Sequence, residues 1–128
     1  MANTTPYLQE QLLNSILRAI PYPSPKQVYL GLFVESSGQQ NGLAEVQLQD
    51  YKRQAITFHA PNDGKVDNLA EIRFGPALTD WGRIMALGIF DVLKGGNTLL
   101  ISPLKKGLTV EEGSTLIFEA NKVTIALT

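Results

Sequence analysis

The sequence lacks cysteine, holds a single histidine and carries few charged side chains. Its 128 residues include 11 Lys and Arg, 12 Asp and Glu and 1 His, which gives a formal net charge of -1. Without cysteine the chain has no disulfide, no thiol nucleophile and no thiolate-ligated zinc or iron–sulfur site. A net charge near zero provides no broad electrostatic surface for nucleic acid or for an anionic membrane. We therefore expect neither of these among its partners.

Long apolar runs are also missing, although the hydrophobic content is high. Hydrophobic residues make up 44% of the chain and charged residues only 18%, a balance too apolar for a disordered chain. No stretch approaches the ~20 apolar residues that a membrane-spanning helix needs. A chain of this length corresponds to one domain. The composition predicts a single soluble domain comprising residues 1–128.

Proline and glycine divide the sequence into one short helix and many short strands. Thr5 is a suitable N-cap, Pro6 fits the first turn, and apolar residues then recur at helical spacing. Three prolines at positions 21, 23 and 25 end this pattern, because proline removes a backbone donor and restricts the residue before it. The sequence predicts an amphipathic helix over residues 6–20 and a β-rich region over residues 27–128.

The β-rich region alternates short apolar or β-branched runs with turn residues. Runs of this kind, spaced by about 8–12 residues, are typical of a sandwich or barrel. We predict an all-β, jelly-roll-like antiparallel sandwich with one N-terminal helix and a polar loop over residues 36–42. The predicted strands are Gln27–Val34, Glu45–Gln49, Gln54–Ala60, Leu69–Phe74, Ile84–Asp91, Thr98–Pro103, Thr115–Glu119 and Lys122–Leu127.

Two local patterns within the strands carry further predictions. Glu119–Lys122 has the residues of a hairpin connection between the last two strands, since Asn121 tolerates the left-handed conformation of a tight turn. Leu30–Phe33 and Leu87–Phe90 share the pattern L-G-[LI]-F. This repeated pattern has two interpretations: two related halves of a sandwich, or two central strands in similar environments. In both, the strand glycine indicates close backbone approach or a bulge.

Residues that could perform chemistry are few and poorly placed for it. His59 is predicted to be an ordinary strand-end side chain, and residues 63–68 resemble a calcium loop but lack its terminal glutamate. Glu111 and Glu112 are sequence neighbours, which points them to opposite faces of a strand. Lys105 and Lys106 are predicted to lie in a loop. We therefore predict no catalytic residue, no cofactor-binding residue, no metal ligand and no cofactor.

The connection Phe74–Gly82 is distinctive, because it contains the only tryptophan, two glycines and a proline. In one interpretation Trp81 closes the open end of the sandwich while Asp80 caps backbone donors of the turn. In the other the loop and its indole form a subunit contact, since tryptophan is enriched among interface anchors. Composition alone leaves both open.

These segments resemble a family of small phage virion proteins commonly labelled tail-fibre proteins. The resemblance extends over nearly the whole chain, and its motifs are structural turns and core strands: Val28–Phe33, Tyr51–Phe58, Phe74–Gly82, Leu87–Asp91 and Gly95–Leu100. It implies a non-enzymatic virion subunit, assembled in the host cytoplasm, that oligomerises and docks on the particle. The implied role is that of a tail-fibre-type protein or of a capsid cement (decoration) protein.

The expected partners are a second copy of the chain and other virion proteins of the capsid or tail. The helix packs under the sandwich, or its leucine face meets the same helix or a neighbouring subunit. An alternative function is host-glycan binding through Trp81, Tyr29 or Tyr51. Another is hydrolysis by the only conceivable acids, Asp80, Glu111 and Glu112. The predicted partner-contact residues are Leu8, Leu12, Ile16, Trp81, Lys105 and Lys106.

Overall fold

The computed structural model describes residues 3–35 and 42–126. Within these ranges the chain forms one helix and ten strands. The elements in chain order are β1 (Asn3–Thr4), α1 (Pro6–Leu17), β2 (Val28–Glu35), β3 (Leu43–Glu45), β4 (Gln54–Ile56), β5 (Lys65–Asp67), β6 (Ile72–Phe74), β7 (Gly82–Phe90), β8 (Thr98–Val110), β9 (Leu116–Phe118) and β10 (Thr124–Ala126).

The strands form one large antiparallel sheet and two small ones. The large sheet has the order β1-β8-β7-β2-β3, with β4 also pairing with β2, and the small sheets pair β5 with β10 and β6 with β9. Every described pairing is antiparallel. The predicted all-β antiparallel sandwich with one N-terminal helix is confirmed.

The core lies between the large sheet and the two small sheets. Leu30, Leu32 and Ile84 of the large sheet are fully buried and belong to the same cluster as Phe74 of β6 and Ile125 of β10. Successive residues of a strand point to opposite faces of its sheet, and the large sheet is buried on both faces: this cluster lies against the small sheets, and a separate cluster around Phe33 and Phe90 lies on the other face. Burial of this apolar area from water holds the layers together.

The two L-G-[LI]-F segments are paired with each other at the centre of the large sheet. Gly31 of β2 lies directly opposite Gly88 of β7. A side chain at Gly31 would collide with the ring of Phe90, and one at Gly88 with the ring of Phe33. These two rings stack with centroids 5.8 Å apart. The structure therefore favours the second interpretation, two central strands in similar environments, and the glycines provide the space for the phenylalanines.

Several predicted boundaries differ from the observed ones. The helix ends at Leu17 rather than Ile20, because Ala19 takes a left-handed conformation with φ 56°. The predicted strand Glu45–Gln49 is displaced to β3, which ends at Glu45. The segment after Pro103 continues as a strand to Val110, since it keeps pairing with β7. Most of the predicted loop 36–42, and Leu127, lie outside the described residues.

The predicted C-terminal hairpin is wrong. Asn121 does take the positive φ of 66° that a tight turn requires. However, the strands on either side of the turn belong to different small sheets, β9 with β6 and β10 with β5. Strand β5 was not predicted at all, because its residues Lys65–Asp67 follow a turn and contain only one apolar side chain.

The two small sheets are joined by a buried asparagine that sequence reasoning missed. Asn68 is fully buried. Its Nδ2 donates to the carbonyls of Ala70 (2.8 Å) and Glu119 (3.0 Å), while its Oδ1 accepts from the backbone N–H groups of Lys122 (3.0 Å) and Val123 (2.8 Å). All four bonds use the full capacity of the amide, so this side chain fixes the turn after β9 against the strand β5.

Candidate partner-contact surface

Helix α1 is attached to the sandwich at its beginning. Thr5 caps the helix by accepting a hydrogen bond from the N–H of Leu8 (3.3 Å), and its own hydroxyl donates to the carbonyl of Thr98 in β8 (2.6 Å). Tyr7 and Leu8 are half-buried against the main core. Cap, first-turn proline and core contact together fix the N-terminal half of the helix.

The second half of the helix presents apolar side chains to solvent. Leu13 is 57% exposed, Ile16 75% and Leu17 73%, while Leu12 is half-buried. No residue of α1 is fully buried. These three side chains lie on neighbouring turns of the helix, so they form one exposed apolar strip. The first predicted arrangement is present in part, because the start of the helix packs on the core. Contact of the leucine face with the same helix or a neighbouring subunit stays a prediction.

The Phe74–Gly82 connection is held in place by one carboxylate, that of Asp50. Oδ2 of Asp50 accepts hydrogen bonds from the backbone N–H of Leu78 (2.6 Å) and Thr79 (3.2 Å) and from Nε1 of Trp81 (2.9 Å). Asp80 caps the neighbouring turn by accepting from the N–H of Glu112 (2.8 Å). Trp81 is 5% exposed. The structure agrees with the first interpretation of this loop, in which the indole closes the sandwich.

The charge of Asp50 is favoured by this arrangement. Desolvation acts to raise its pKa, but the hydrogen bonds from Trp81, Leu78 and Thr79 outweigh desolvation and hold the pKa below its ordinary value. Hydrogen bonds donated to a carboxylate stabilise its ionised form. Asp50 is therefore the anionic anchor of the loop, and no sequence pattern indicated it because it lies about thirty residues upstream of the loop.

Lys105 and Lys106 lie within strand β8, not in the predicted loop. Ile84 of β7 pairs with Leu108, and Ala86 pairs with Pro103. Only one residue of β7 lies between these pairs, against four of β8, so the lysines occupy a bulge and are exposed. A bulge, a proline and lysines are the features that protect a sheet edge from pairing with another strand. Contact of the two lysines with a partner stays a prediction.

A second cluster of charged and aromatic side chains lies on the other face of the large sheet. The guanidinium of Arg53 lies 3.6 Å from the ring centroid of Phe90. It pairs with both carboxylate oxygens of Glu45 at 2.8 Å and donates to the carbonyls of Val92 (3.0 Å) and Gly95 (2.7 Å). Arg53 therefore connects β3, through its bidentate pair with Glu45, to the turn between β7 and β8, through the carbonyls of Val92 and Gly95.

Tyr51 closes the gap between β3 and β4 along the edge of β2. Its hydroxyl accepts from the N–H of Leu32 (2.9 Å) and donates to Oε2 of Glu45 (2.7 Å). Burial, together with the hydrogen bond to Glu45, raises the pKa of Tyr51 far above its ordinary value, so the hydroxyl keeps its proton. Next to it a groove of about 750 Å³ is lined by residues 45–49, 51–53 and 93–95.

The three aromatics predicted for glycan binding do not form one exposed platform. Tyr51 and Trp81 do meet, with ring centroids 5.6 Å apart in an edge-to-face contact, but this contact lies in the main core cluster. Tyr29 belongs to the separate cluster around Phe33. Stacking on a sugar requires an exposed ring face, so these three aromatics do not offer one shared stacking surface.

In the described ranges no three His, Asp or Glu side chains converge as a metal site. Residues 62–65, which overlap the predicted calcium loop, form a tight turn. Asp63 and Gly64 both have positive φ, as turns joining antiparallel strands require.

The part of the chain that the structure describes contains no helix of the length and apolarity that crosses a bilayer.

One protein family matches almost the entire chain. The family model described as Podophage GP4 fiber I protein gp80 matches residues 3–126. The chain belongs to this family. The resemblance to phage tail-fibre proteins is thereby confirmed, and this fibre protein is a phage structural protein of the virion, where it associates with other virion components. No curated protein matches the chain.

The fold of this fibre protein distributes the six predicted contact residues unequally. Ile16, Lys105 and Lys106 are exposed, whereas Leu8 and Leu12 are half-buried and Trp81 is buried. Two residues that the sequence analysis did not select, Leu13 and Leu17, extend the exposed face of the helix. Contact of these residues with a partner stays a prediction, and the end of α1 is its strongest structural candidate.

Proposed function

We propose that this chain is a non-enzymatic, tail-fibre-type structural subunit that self-associates and docks on other virion proteins. Its contacts work by burying apolar surface rather than by one strong site. Membership in a fibre family supports a position on the tail over the capsid-cement position that the sequence also suggested.

The observation that carries this proposal is the exposed end of helix α1. Leu13, Ile16 and Leu17 together present a continuous apolar surface, and full burial of such side chains stabilises an association by about 1.5–3 kcal/mol each. A protein that acted alone would gain solubility by replacing them with polar residues. Lys105 and Lys106 on β8 offer a second contact for an acidic neighbour.

The placement of the acidic residues supports a non-enzymatic role. Asp80 caps the N–H of Glu112, and Glu111 and Glu112 lie exposed in the turn between β8 and β9. We expect a phage carrying Glu111→Gln and Glu112→Gln together to assemble and infect like the parent. Loss of infectivity in particles that contain normal amounts of the variant would contradict this part of the proposal.

Location on the particle is the direct test. We expect electron microscopy of virions carrying a labelled copy of this chain to show the label on the tail, and an Ile16→Asp variant to be lost from purified particles. Leu78→Asp is the matched control, because Leu78 is 72% exposed in the Phe74–Gly82 loop. Label on the head would replace the fibre role with the cement role, and absence from the virion would overturn the proposal.

The groove beside Tyr51 favours host-glycan binding as a second candidate function. Its volume of about 750 Å³ is in the range of small-ligand sites, and its rim carries the exposed polar side chains of Gln47, Gln49, Lys52 and Lys94. We expect a glycan array to report a ligand whose binding is lost in a Gln49→Ala, Lys52→Ala variant and kept in Lys105→Ala. An array without hits removes this candidate.

A further inference from the structure

The groove of about 750 Å³ beside Tyr51 has walls from two segments that are distant in sequence. One wall comes from the end of β3 and the segment that follows it, and the other from the turn between β7 and β8. Nη1 of Arg53 donates to the carbonyl of Gly95 (2.7 Å), so this bond holds the two walls together. Lys52 and Lys94, which precede the two bonded residues, both line the groove and are exposed.

Glu45 is the one carboxylate among the described residues that line the groove, and its charge is already compensated. Its Oε2 accepts from Nε of Arg53 (2.8 Å) and from the hydroxyl of Tyr51 (2.7 Å), while Oε1 accepts from Nη2 of Arg53 (2.8 Å). The side chains of Arg53 and Glu45 are only 10% and 13% exposed. This ion pair therefore builds the wall of the groove and contributes no net charge to it.

The two lysines of the groove have no such compensation. No ion pair of the described ranges includes Lys52 or Lys94. Asp50, the acid closest to Lys52 along the chain, directs its Oδ2 to the indole of Trp81 and to the backbone of the Phe74–Gly82 loop. The whole chain has a net charge of -1, so the groove is a site of local positive charge on a slightly negative protein.

The remaining lining of the groove combines amide and apolar side chains. Gln47 and Gln49 are exposed on the wall that follows β3, and an amide both donates and accepts hydrogen bonds, as the hydroxyl groups of a sugar do. Leu48 is 40% exposed and Leu93 53%, and both line the groove. They offer apolar contact to the C–H faces of sugar rings.

We propose that this groove binds an acidic oligosaccharide, in which negative charges on the sugars pair with Lys52 and Lys94. Charge complementarity selects this ligand, because a neutral glycan would leave two ammonium groups of the site unused. The two lysines belong to different segments, so a ligand with more than one negative charge engages both walls. This proposal rests on the glycan binding proposed above as the second candidate function, and adds the charge of the glycan.

An extended acidic peptide fits the groove less well. A peptide strand adds to a sheet by pairing with free backbone groups at its edge. In the gap between β3 and β4, Leu32 of β2 donates its N–H to the hydroxyl of Tyr51 (2.9 Å), and its carbonyl accepts from the N–H of Val46 (3.1 Å). Both backbone groups are used, so recognition in this groove depends on side chains.

The first experiment tests the charge of the ligand on a glycan array that holds neutral, carboxylated, phosphorylated and sulfated oligosaccharides. We expect the full chain to bind acidic oligosaccharides and not their neutral counterparts, and the acid group that the bound glycans share identifies the source of the charge. Neutral glycans that bind as tightly as acidic ones overturn the acidic ligand and leave glycan binding intact. An array without any bound glycan overturns both.

The second experiment tests the site with the acidic oligosaccharide that binds most tightly on the array. Lys52→Gln and Lys94→Gln remove one charge each from exposed positions, and we expect each to raise the Kd about twofold to fivefold with unchanged circular dichroism. We expect the double variant to raise it by about the product of the two. Lys65→Gln is the matched control, because it removes the same charge from an exposed position on β5 outside the groove. Equal weakening by Lys65→Gln overturns the groove as the site.

Salt and a competing peptide separate pairing of charges from other effects. Pairs between exposed charges weaken as salt rises from about 50 to about 500 mM, so we expect the Kd of the parent chain to increase over this range more than that of the double variant. Equal salt dependence overturns the role of the two lysines. Displacement of the oligosaccharide by poly-glutamate at the same concentration of negative charge overturns the saccharide as the preferred ligand.

Discussion

The Phe74–Gly82 loop and helix α1 both carry large apolar side chains that suggested a partner contact, but the fold uses them in opposite ways. In the loop, Trp81 is buried and its N–H is bonded to Asp50. In the helix, Ile16 and Leu17 are exposed and touch little of their own chain. The single tryptophan of the loop therefore closes the core of its own chain. The leucine and isoleucine side chains at the end of the helix form the surface that is available to a partner.

The strongest test of this comparison is removal of the indole. Trp81→Ala deletes a buried aromatic that contacts Tyr51 and leaves Asp50 with one donor fewer. We expect the free energy of unfolding to fall by about 3–5 kcal/mol, measured by urea denaturation. Ile16→Ala is the matched control on the helix. An equal fall in the free energy of unfolding in both variants would show that the loop and the helix end contribute alike to the stability of the fold.

Removing the charge of Asp50 has the next largest effect. The pKa of Asp50 is lowered in the folded chain from its ordinary value of 3.8, so its contribution to stability is present above that pH and is lost as the pH falls through the folded-state value. We expect Asp50→Asn to be less stable at pH 7 and to lose less stability than the parent between pH 5 and pH 3. Equal losses on acidification in parent and variant would assign that pH dependence to other groups.

The end of the helix offers a smaller, stabilising change. Ala19 has a φ of 56°, a left-handed conformation that costs a residue with a side chain free energy and costs glycine little. We expect Ala19→Gly to raise the free energy of unfolding by about 0.5–1 kcal/mol. Ala55→Gly, at an exposed strand position without positive φ, should instead destabilise the chain. Destabilisation by both would show that Ala19 is not strained.

The smallest effect is expected on the open face of the helix. Because Ile16 is 75% exposed, Ile16→Ser removes almost no contact within the chain, and we expect a change within about 0.5 kcal/mol at a protein concentration low enough for the monomer. A loss of several kcal/mol under those conditions would show that the helix end packs on its own sandwich.

Local sequence patterns predicted the elements well. Spacing of apolar residues and turn residues placed the helix start at Pro6 and the central strands β2 and β7 within two residues of their observed ends. These features depend on neighbours along the chain, on caps, prolines and alternation, so they can be seen in the sequence. The short strand β5 was missed because it is defined by pairing with β10, not by its own composition.

Which side chains face solvent was decided by packing between distant segments. Asp50 reaches Trp81 over a separation of 31 residues, and Asn68 reaches the turn at Lys122 and Val123 over 54 and 55. Hydrogen-bonding capacity is visible in a sequence, but its use depends on which backbone groups the fold brings within 3 Å.

By itself the sequence determined the class of this protein: an all-β sandwich preceded by one short helix, without cysteine chemistry, with the residues of a phage fibre family. Periodicity and composition are properties of the sequence itself, so they can be recognised without a structure. Only the tertiary structure decided that Trp81 closes the core, that Lys105 and Lys106 lie exposed in a bulge of β8, and that the end of α1 stays open, because exposure is a property of the packed layers.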